Sequence, residues 1–551
     1  MRSIHTRLLL LALLVVATLV SAPAWAATGV AQFNVRDFGA TGAKSDDARP
    51  AIQKAIDECA KAGGGMVYLP PGDYTSGTIR MRSHVRLYLE AGATLFASVR
   101  DEDYEMITPD SSALLWGDDL VDISFEGRGT VDGEIQHEHR PDNIQDWLIK
   151  ENKDLMLAMG KSIMRSFPKD YPERRKVFPR TMVLRRCKDV LITGLTFRRS
   201  PMWTLNWYAC ERIVVDGIQI YSDLEDGVWE DGIDPDGCKD VLIKNSVIET
   251  GDDSIVLWSS NIWGPARVCE NITVTNCKLS SASSAFKFCD GNSAGVRNVL
   301  VSNVIISNSN RGISIMNFDG GFVRDVLFSN VTVDTRRFQW FWWGDGEPFH
   351  INLIRRHQIM GQQPGPNEPP AGVIRDVKLQ NIIARGKGSS VLKGHPDSWL
   401  EGIDMENVKL YLSADPKADY NKGNAAMKIR WARNFKMRNV EVIWEDPIPQ
   451  NWQNALDFQD VSGVELDNVS ARQSRAGETA PAVTFDQAQD VVVRNSRPQE
   501  GTGTFLNFKG DKTQRVVLRD NDFRRSKVPY HAEKTVKAGE VKSLNNLAIA
   551  E

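Results

Sequence analysis

The chain has 551 residues, and at roughly 150 residues per domain this length predicts three or four domains. Its 67 Lys and Arg against 71 Asp and Glu give a net charge of −4, which argues against a nucleic-acid-binding protein, since such proteins carry a basic excess. With 42% hydrophobic and 25% charged residues, the composition is that of a folded protein and excludes wholesale disorder. A multi-pass membrane protein is also excluded, because only one apolar stretch is long enough to matter.

The first 26 residues have the pattern of a signal peptide. Arg2 and Arg7 flank the start of an apolar stretch over Leu8–Val20, and Ala24-Trp25-Ala26 supplies the small residues of a cleavage site. A retained membrane anchor is the alternative, but an apolar segment of ~13 residues is shorter than the ~20 that span a bilayer. We therefore expect residues 27–551 to be exported to the periplasm or the medium, without membrane attachment.

A short amphipathic helix is predicted over Ala51–Ala60. Acidic residues and Pro50 precede or open it, and Gly63-Gly64-Gly65 follows it. The first strands are then predicted at Val67–Leu69 and Val85–Leu89, where apolar residues alternate.

One pattern of alternating apolar residues then returns down most of the chain, usually every 23 to 32 residues. Each copy ends in a residue suited to a left-handed turn, which is Asn245, Asn276, Asn303, Asn330, Asn381, Asn407, Asn439, Asn468 and Asn495, with Gly194, Gly217 and Asp520 in further copies. A fixed period with short strands indicates a solenoid, and stacked Asn amides can hydrogen-bond from coil to coil. We predict an all-β fold, a right-handed parallel β-helix of about a dozen coils with a helical cap at its open end, forming a single domain. A leucine-rich horseshoe is the alternative, but Val and Ile dominate over Leu.

Seven cysteines are too few for a disulfide scaffold of this length, and the odd number leaves at least one thiol free. Several recur at equivalent points of the repeat, which favours small buried hydrophobes.

Two segments interrupt the repeat, residues 134–178 and residues 336–373. The first is polar and helix-prone. The second is rich in aromatic residues, and such a loop either packs locally or lines a ligand site. We interpret it as one wall of a cleft, in which Trp343, Glu347 and His350 contact a substrate.

Acidic side chains are predicted to stack where successive coils meet. Aligning the strands gives one column of Asp231, Asp253, Ser284 and Arg311 and a neighbouring column of Glu230, Asp252, Ser283 and Asn310. Adjacent coils lie about 4.8 Å apart, so several carboxylates crowd one patch. Repulsion separates their pKa values, and such a pair can supply a general acid and a general base. A solvated acidic turn or a Ca²⁺ site is the alternative.

Three motifs around this patch resemble glycoside hydrolase family 28, the polygalacturonases and their relatives. They are Ser200-Pro201-Met202-Trp203-Thr204-Leu205, Asp231-Gly232-Ile233-Asp234 and Thr250-Gly251-Asp252-Asp253, in the family's order and with 21 residues from Asp231 to Asp252. The resemblance extends over residues 33–333 and implies inverting hydrolysis of pectic chains without a metal or a cofactor. It makes Asp252 the general acid, Asp231 and Asp253 the residues that activate water, and Asp234 a supporting acid that contacts the sugar.

The sequence departs from the family pattern at two places. No histidine stands near Ser283-Ser284-Ala285, where a Gly-His-Gly motif belongs, and Ser314-Ile315-Met316 replaces the Arg-Ile-Lys motif that holds a galacturonate carboxylate. Lys287 and Arg311 lie nearby and are either replacements that bind the substrate or ordinary turn residues.

Together these features predict an exported, monomeric glycoside hydrolase that acts on a pectic or related acidic polysaccharide. Two alternatives stay open. A polysaccharide lyase on the same fold would use Ca²⁺ and a basic residue, and a non-catalytic solenoid would only bind carbohydrate.

Overall fold

The computed structural model describes residues 31–108, 111–135, 179–224, 227, 229–338, 344–360, 363–415, 424–448 and 450–548. The predicted signal peptide, Trp343 and nearly all of the segment 134–178 lie outside these residues.

The described residues form helices α1 (Arg49–Lys61) and α2 (Arg356–Met360), with 3₁₀ turns at Val35–Phe38 and Asp101–Asp103. No helix among them is long and apolar enough to cross a membrane.

The first nineteen strands are β1 (Gln32–Asn34), β2 (Gly65–Leu69), β3 (Gly72–Ser76), β4 (Ile79–Arg80), β5 (Val85–Leu89), β6 (Ala93–Ala97), β7 (Met106–Thr108), β8 (Ser111–Asp118), β9 (Val121–Gly127), β10 (Thr130–Asp132), β11 (Arg180–Arg185), β12 (Lys188–Thr193), β13 (Thr196–Arg198), β14 (Leu205–Tyr208), β15 (Glu211–Asp216), β16 (Gln219–Tyr221), β17 (Ile233–Asp236), β18 (Lys239–Lys244) and β19 (Val247–Thr250). The others are β20 (Ile255–Ser259), β21 (Cys269–Thr275), β22 (Lys278–Ser281), β23 (Ser284–Asn292), β24 (Val296–Ser309), β25 (Arg311–Asn317), β26 (Phe322–Thr335), β27 (Phe349–Leu353), β28 (Val373–Gly386), β29 (Ser390–Lys393), β30 (Leu400–Leu412), β31 (Ala425–Trp444), β32 (Asn454–Ala471), β33 (Pro481–Arg494), β34 (Arg497–Pro498), β35 (Thr502–Lys509), β36 (Gln514–Arg519), β37 (Ser526–Ala532) and β38 (Val541–Leu544).

Strands of successive coils pair in parallel, as β14 does with β17 and β17 with β20. The strands from β1 to β38 join in one continuous ladder, in which β7 and β8 form an antiparallel pair. The predicted right-handed parallel β-helix is confirmed.

The corners of the solenoid are made as predicted. All nine Asn positions of the repeat have left-handed backbone, with φ between 51° and 58°, and Gly194, Gly217 and Asp520 also have positive φ. Their amides form a ladder: Asn407 Nδ2 donates to Asn381 Oδ1 at 2.9 Å, and Asn381 Nδ2 donates to Asn330 Oδ1 at 3.0 Å. Each amide therefore links one coil to the next.

The apolar core fills the inside of the solenoid. Phe458 and Phe485 stack with ring centroids 4.9 Å apart, and Phe485 stacks on Phe508 at 5.3 Å, one ring per coil. At the N-terminal end, α1 buries Ile52, Ile56 and Cys59 against the first coils, which confirms the predicted capping helix.

Among the described side chains, six cysteines are buried and free, namely Cys59, Cys187, Cys210, Cys238, Cys269 and Cys277. They pack as small hydrophobes, as the repeat indicated.

Two regions differ from the sequence prediction. The first strand is β1, which precedes α1 and pairs with β2, and three residues are too few for alternation to reveal it. Within the segment 336–373, β27 is a regular strand that pairs with β25 and β29, so the loop proper is shorter than the spacing indicated.

Candidate active site

The strands β17, β20, β23 and β25 lie side by side on one face of the solenoid. Ile233 pairs with Ile255, and Ser284 pairs with Arg311. The N–H of Gly232 donates to the carbonyl of Asp253 at 2.9 Å. This register places Asp231, Asp253, Ser284 and Arg311 on successive coils, which is the predicted column.

Three carboxylates form the centre of the site. Asp231, Asp252 and Asp253 each offer an oxygen within 4.8 Å of the other two, and each residue is 3% exposed. The N–H of Asp253 donates to Asp231 Oδ1 at 2.9 Å, while the hydroxyl of Thr250 donates to the carbonyl of Asp252 at 2.9 Å. Oxygens this close can hold a hard cation such as Ca²⁺, or can share the proton transfers of an acid and a base.

Lys287 brings a positive charge into this cluster. Its Nζ lies 2.7 Å from Asp253 Oδ2, and the two side chains are 9% and 4% exposed. The ammonium therefore offsets part of the repulsion among the three carboxylates. Lys287 also lies in the same column as Ser314, one coil away from it. A lysine here faces both Asp253 and the place where the family pattern has a cation.

Asp234 lies beside the cluster and is completely buried. Burial raises the pKa of its carboxyl well above the ordinary range, and the negative charges of Asp253 and Asp252 add to the effect, while a hydrogen bond from Trp258 Nε1 at 3.2 Å opposes it. The raised pKa favours the protonated form of Asp234, and a protonated carboxyl can donate a hydrogen bond.

Arg180 is a second cation of the site, and the sequence did not reveal it. The side chain packs between two indoles, 4.5 Å from the ring centroid of Trp203 and 4.9 Å from that of Trp263. Burial lowers the pKa of Arg180 to about 10, although the charges of Asp234 and Asp231 oppose this shift. It lies on β11, directly after the segment 134–178, where no copy of the repeat indicated a site residue.

Arg311 binds Glu347. Its Nε lies 2.8 Å from Glu347 Oε1, and both side chains are 7% exposed. His350 Nδ1 lies 3.4 Å from the same oxygen. Burial would raise the pKa of Glu347, but the charge of Arg311 and the contact with His350 outweigh it and hold this pKa well below its usual range. The structure thus brings three of the predicted substrate contacts into one buried charged group.

His350 occupies the same column as Lys287, two coils further along. Burial and the charge of Arg311 lower its pKa to about 4, so its ring is neutral at physiological pH. A neutral imidazole can both donate and accept a hydrogen bond.

The comparisons with known proteins agree with this fold. A probable polygalacturonase of Vitis vinifera is 26% identical over 240 residues, which are 40% of this chain and 43% of that protein. The chain therefore aligns with less than half the length of this curated relative. The family 28 exopolygalacturonase of Yersinia enterocolitica has 18% identity and a TM-score of 0.58, covering 80% of this chain and 78% of that one. An exopolygalacturonase of Thermotoga maritima has 23% identity and a TM-score of 0.54, covering 69% and 87%.

Residues 59–337 match glycosyl hydrolases family 28, a segment that holds the three carboxylates, Lys287 and Arg311. The match covers half of the sequence and is consistent with the resemblance of the motifs. The chain belongs to glycosyl hydrolases family 28.

Proposed function

We propose that this protein is an exported glycoside hydrolase that cleaves glycosidic bonds in a pectic or related acidic polysaccharide. The observation that carries the proposal is the buried cluster of Asp231, Asp252 and Asp253 within the segment that matches the family. A pectic substrate is supported by the names of several relatives, which are polygalacturonases or exopolygalacturonases. The signal-peptide pattern of residues 1–26 supports export.

In this proposal Asp252 is the general acid that protonates the glycosidic oxygen, and Asp231 and Asp253 activate the attacking water. The ammonium of Lys287 contacts Asp253, so a positive charge lies beside this carboxylate. Asp234 is a supporting acid, because burial favours the protonated form of its carboxyl, which can donate a hydrogen bond to a sugar oxygen.

Inversion at the anomeric carbon is the outcome we propose, in line with the family resemblance. Inverting pairs of carboxyl groups are commonly about 6.5–9.5 Å apart and retaining pairs about 5–5.5 Å. The oxygens here lie within 4.8 Å, so a water would have to be held by Asp231 and Asp253 together rather than between two distant groups. NMR of the first anomer released tests this step. An inverted anomer supports it, while a retained anomer would replace it with a covalent intermediate on one of these carboxylates.

The assignment of the acid is tested with Asp252→Asn on polygalacturonate and on pectic oligosaccharides. Loss of a general acid should lower kcat by about 10²–10⁴-fold. Asp511→Asn is the matched control, because Asp511 is an exposed carboxylate far along the solenoid. The melting temperature and oligosaccharide binding should stay close to the wild type in both variants. Undiminished cleavage by Asp252→Asn would show that another group is the acid.

A lyase remains the alternative with a specific observation behind it, since a lysine stands beside carboxylates that can hold Ca²⁺. A lyase would release an unsaturated product that absorbs in the ultraviolet, and chelation would abolish its formation. Binding without cleavage of any pectic polysaccharide would instead indicate a non-catalytic carbohydrate-binding solenoid.

A further inference from the structure

The face of the solenoid that carries the acids continues into coils beyond the segment that matches the family. On this face Asn352 of β27 pairs with Lys393 of β29, and Lys393 pairs with Arg430 of β31. Their neighbours Leu392 and Ile429 are completely buried in the core, so alternation directs Lys393 and Arg430 outward. Asn352, Lys393 and Arg430 all lie after residue 337, where the family match ends.

Three cations, Lys393, Arg430 and Lys428, lie near one carboxylate here, that of Asp457. Arg430 Nη2 donates to Asp457 Oδ2 at 2.5 Å, and its Nη1 donates to the carbonyl of Asp457 at 2.8 Å. Lys393 makes no hydrogen bond or ion pair with the described residues, although it is only partly exposed. Burial and then the charge of Arg430 lower the pKa of Lys393. A further anion would relieve this repulsion.

An aromatic ring completes the group. Lys393 Nζ lies 5.7 Å from the ring centroid of Trp431, and the indole is partly exposed. Trp431 stands at a corner of the solenoid, with the same left-handed backbone (φ 47°) that Asp460 and Gln487 have at this corner of the next two coils. An indole face beside a cation suits a sugar ring that bears a carboxylate, because the ring stacks and the carboxylate pairs.

We propose that Lys393, Arg430 and Trp431 form a distal subsite for a uronic-acid unit of the polysaccharide. The subsite begins four coils beyond Asp253, a rise of about 19 Å along the solenoid axis at about 4.8 Å per coil, with Lys393 on the fourth coil and Arg430 and Trp431 on the fifth. A single chain bound along this face would reach both places, and only a substrate of several units would do so. The inference rests on the proposed function and adds to it a preference for long, acidic substrates.

The test measures binding of oligogalacturonates, from trimer to octamer, by calorimetry in the Asp252→Asn variant, which does not consume them. Adding Lys393→Met should lower the affinity for the octamer relative to the trimer by roughly tenfold, the loss of one charge-assisted bond. Trp431→Ala should lower the same ratio. Lys436→Met is the matched control, because Lys436 is an exposed lysine of the same strand β31 placed after the corner at Asn434. It should change the ratio less than twofold.

A second ligand, an octamer whose carboxylates have been reduced to alcohols, distinguishes charge from shape. It keeps the sugar rings but has no carboxylate for Lys393 to bind, so Lys393→Met should leave its affinity unchanged. An unchanged ratio for Lys393→Met, or equal losses for the acidic and the reduced octamer, would overturn the subsite. Hydrolysis by the unmodified enzyme is scored separately. If the enzyme cleaves its substrate but Lys393→Met leaves the octamer-to-trimer affinity ratio unchanged, only the subsite is refuted. If the ratio changes but no cleavage is detected, the proposed hydrolase activity is refuted and the subsite is supported.

Discussion

Arg311→Met should destabilise the fold strongly at neutral pH, because it leaves the Glu347 carboxylate without its cation. Arg311 Nε and Glu347 Oε1 lie 2.8 Å apart, and both side chains are 7% exposed. Methionine preserves much of the aliphatic stem of arginine, so the change removes charge and hydrogen bonds more than packing. The N–H of Asp345 still donates to Glu347 Oε2 at 2.5 Å.

The size of the effect follows from the burial of both partners. Breaking a buried ion pair by removing one partner costs about 3–5 kcal/mol. Because the Asp345 amide stays in place, we expect the low end, about 3 kcal/mol at pH 8. Glu347→Gln should cost a similar amount, since it removes the carboxylate that offsets the buried charge of Arg311. The double variant should lose less than the sum of the two single losses, by about 1–3 kcal/mol.

The loss should shrink in acid because of His350. Burial and Arg311 lower the pKa of His350 to about 4 in the wild type, and without Arg311 this pKa should rise beside Glu347. A raised pKa adds stability that is present at low pH and lost as pH rises through it. Urea unfolding followed by circular dichroism at pH 5 and pH 8 measures the difference. A loss below about 1 kcal/mol at pH 8, or one that does not change with pH, would refute the reasoning.

Three further predictions concern other parts of the chain. Asn381→Ala should cost about 1–2 kcal/mol in urea unfolding, because alanine is strained at φ 54° and two ladder bonds are lost, while Asn381→Gly should restore the backbone part. Burial raises the pKa of Asp236 to about 6, so the contribution of this carboxyl to stability, measured as the difference between the wild type and Asp236→Asn, should fall by about 3 kcal/mol as pH rises from about 4 to above 6. Unfolding of both proteins at pH 4 and pH 7 measures this difference. Cys277, whose pKa burial raises to about 11, should resist iodoacetamide at pH 8 until urea is added, as mass spectrometry would show.

The solenoid could be predicted because its corners and its core depend on local rules. An Asn such as Asn381 adopts left-handed backbone at low cost, and alternation tells which residues face inward. The two strands that the sequence did not predict, β1 and β27, lack a clear alternation of apolar residues. β1 has three residues, and in β27 the alternation of Phe349 and Leu353 is hidden within an aromatic-rich neighbourhood.

The columns of the site could be predicted because in-register stacking turns a sequence alignment into spatial neighbours, as for Asp231 and Asp253. The carboxylates that pair with Lys287 and Arg311 could not be predicted from the sequence. A long side chain can reach several positions on adjacent coils, and the three-dimensional packing determines which of them it contacts. Lys287 bonds Asp253 and Arg311 bonds Glu347, so a substrate carboxylate must compete with these internal carboxylates for either cation. That competition favours recognition of uronate charge by a cation such as Lys393, which has no such partner among the described residues.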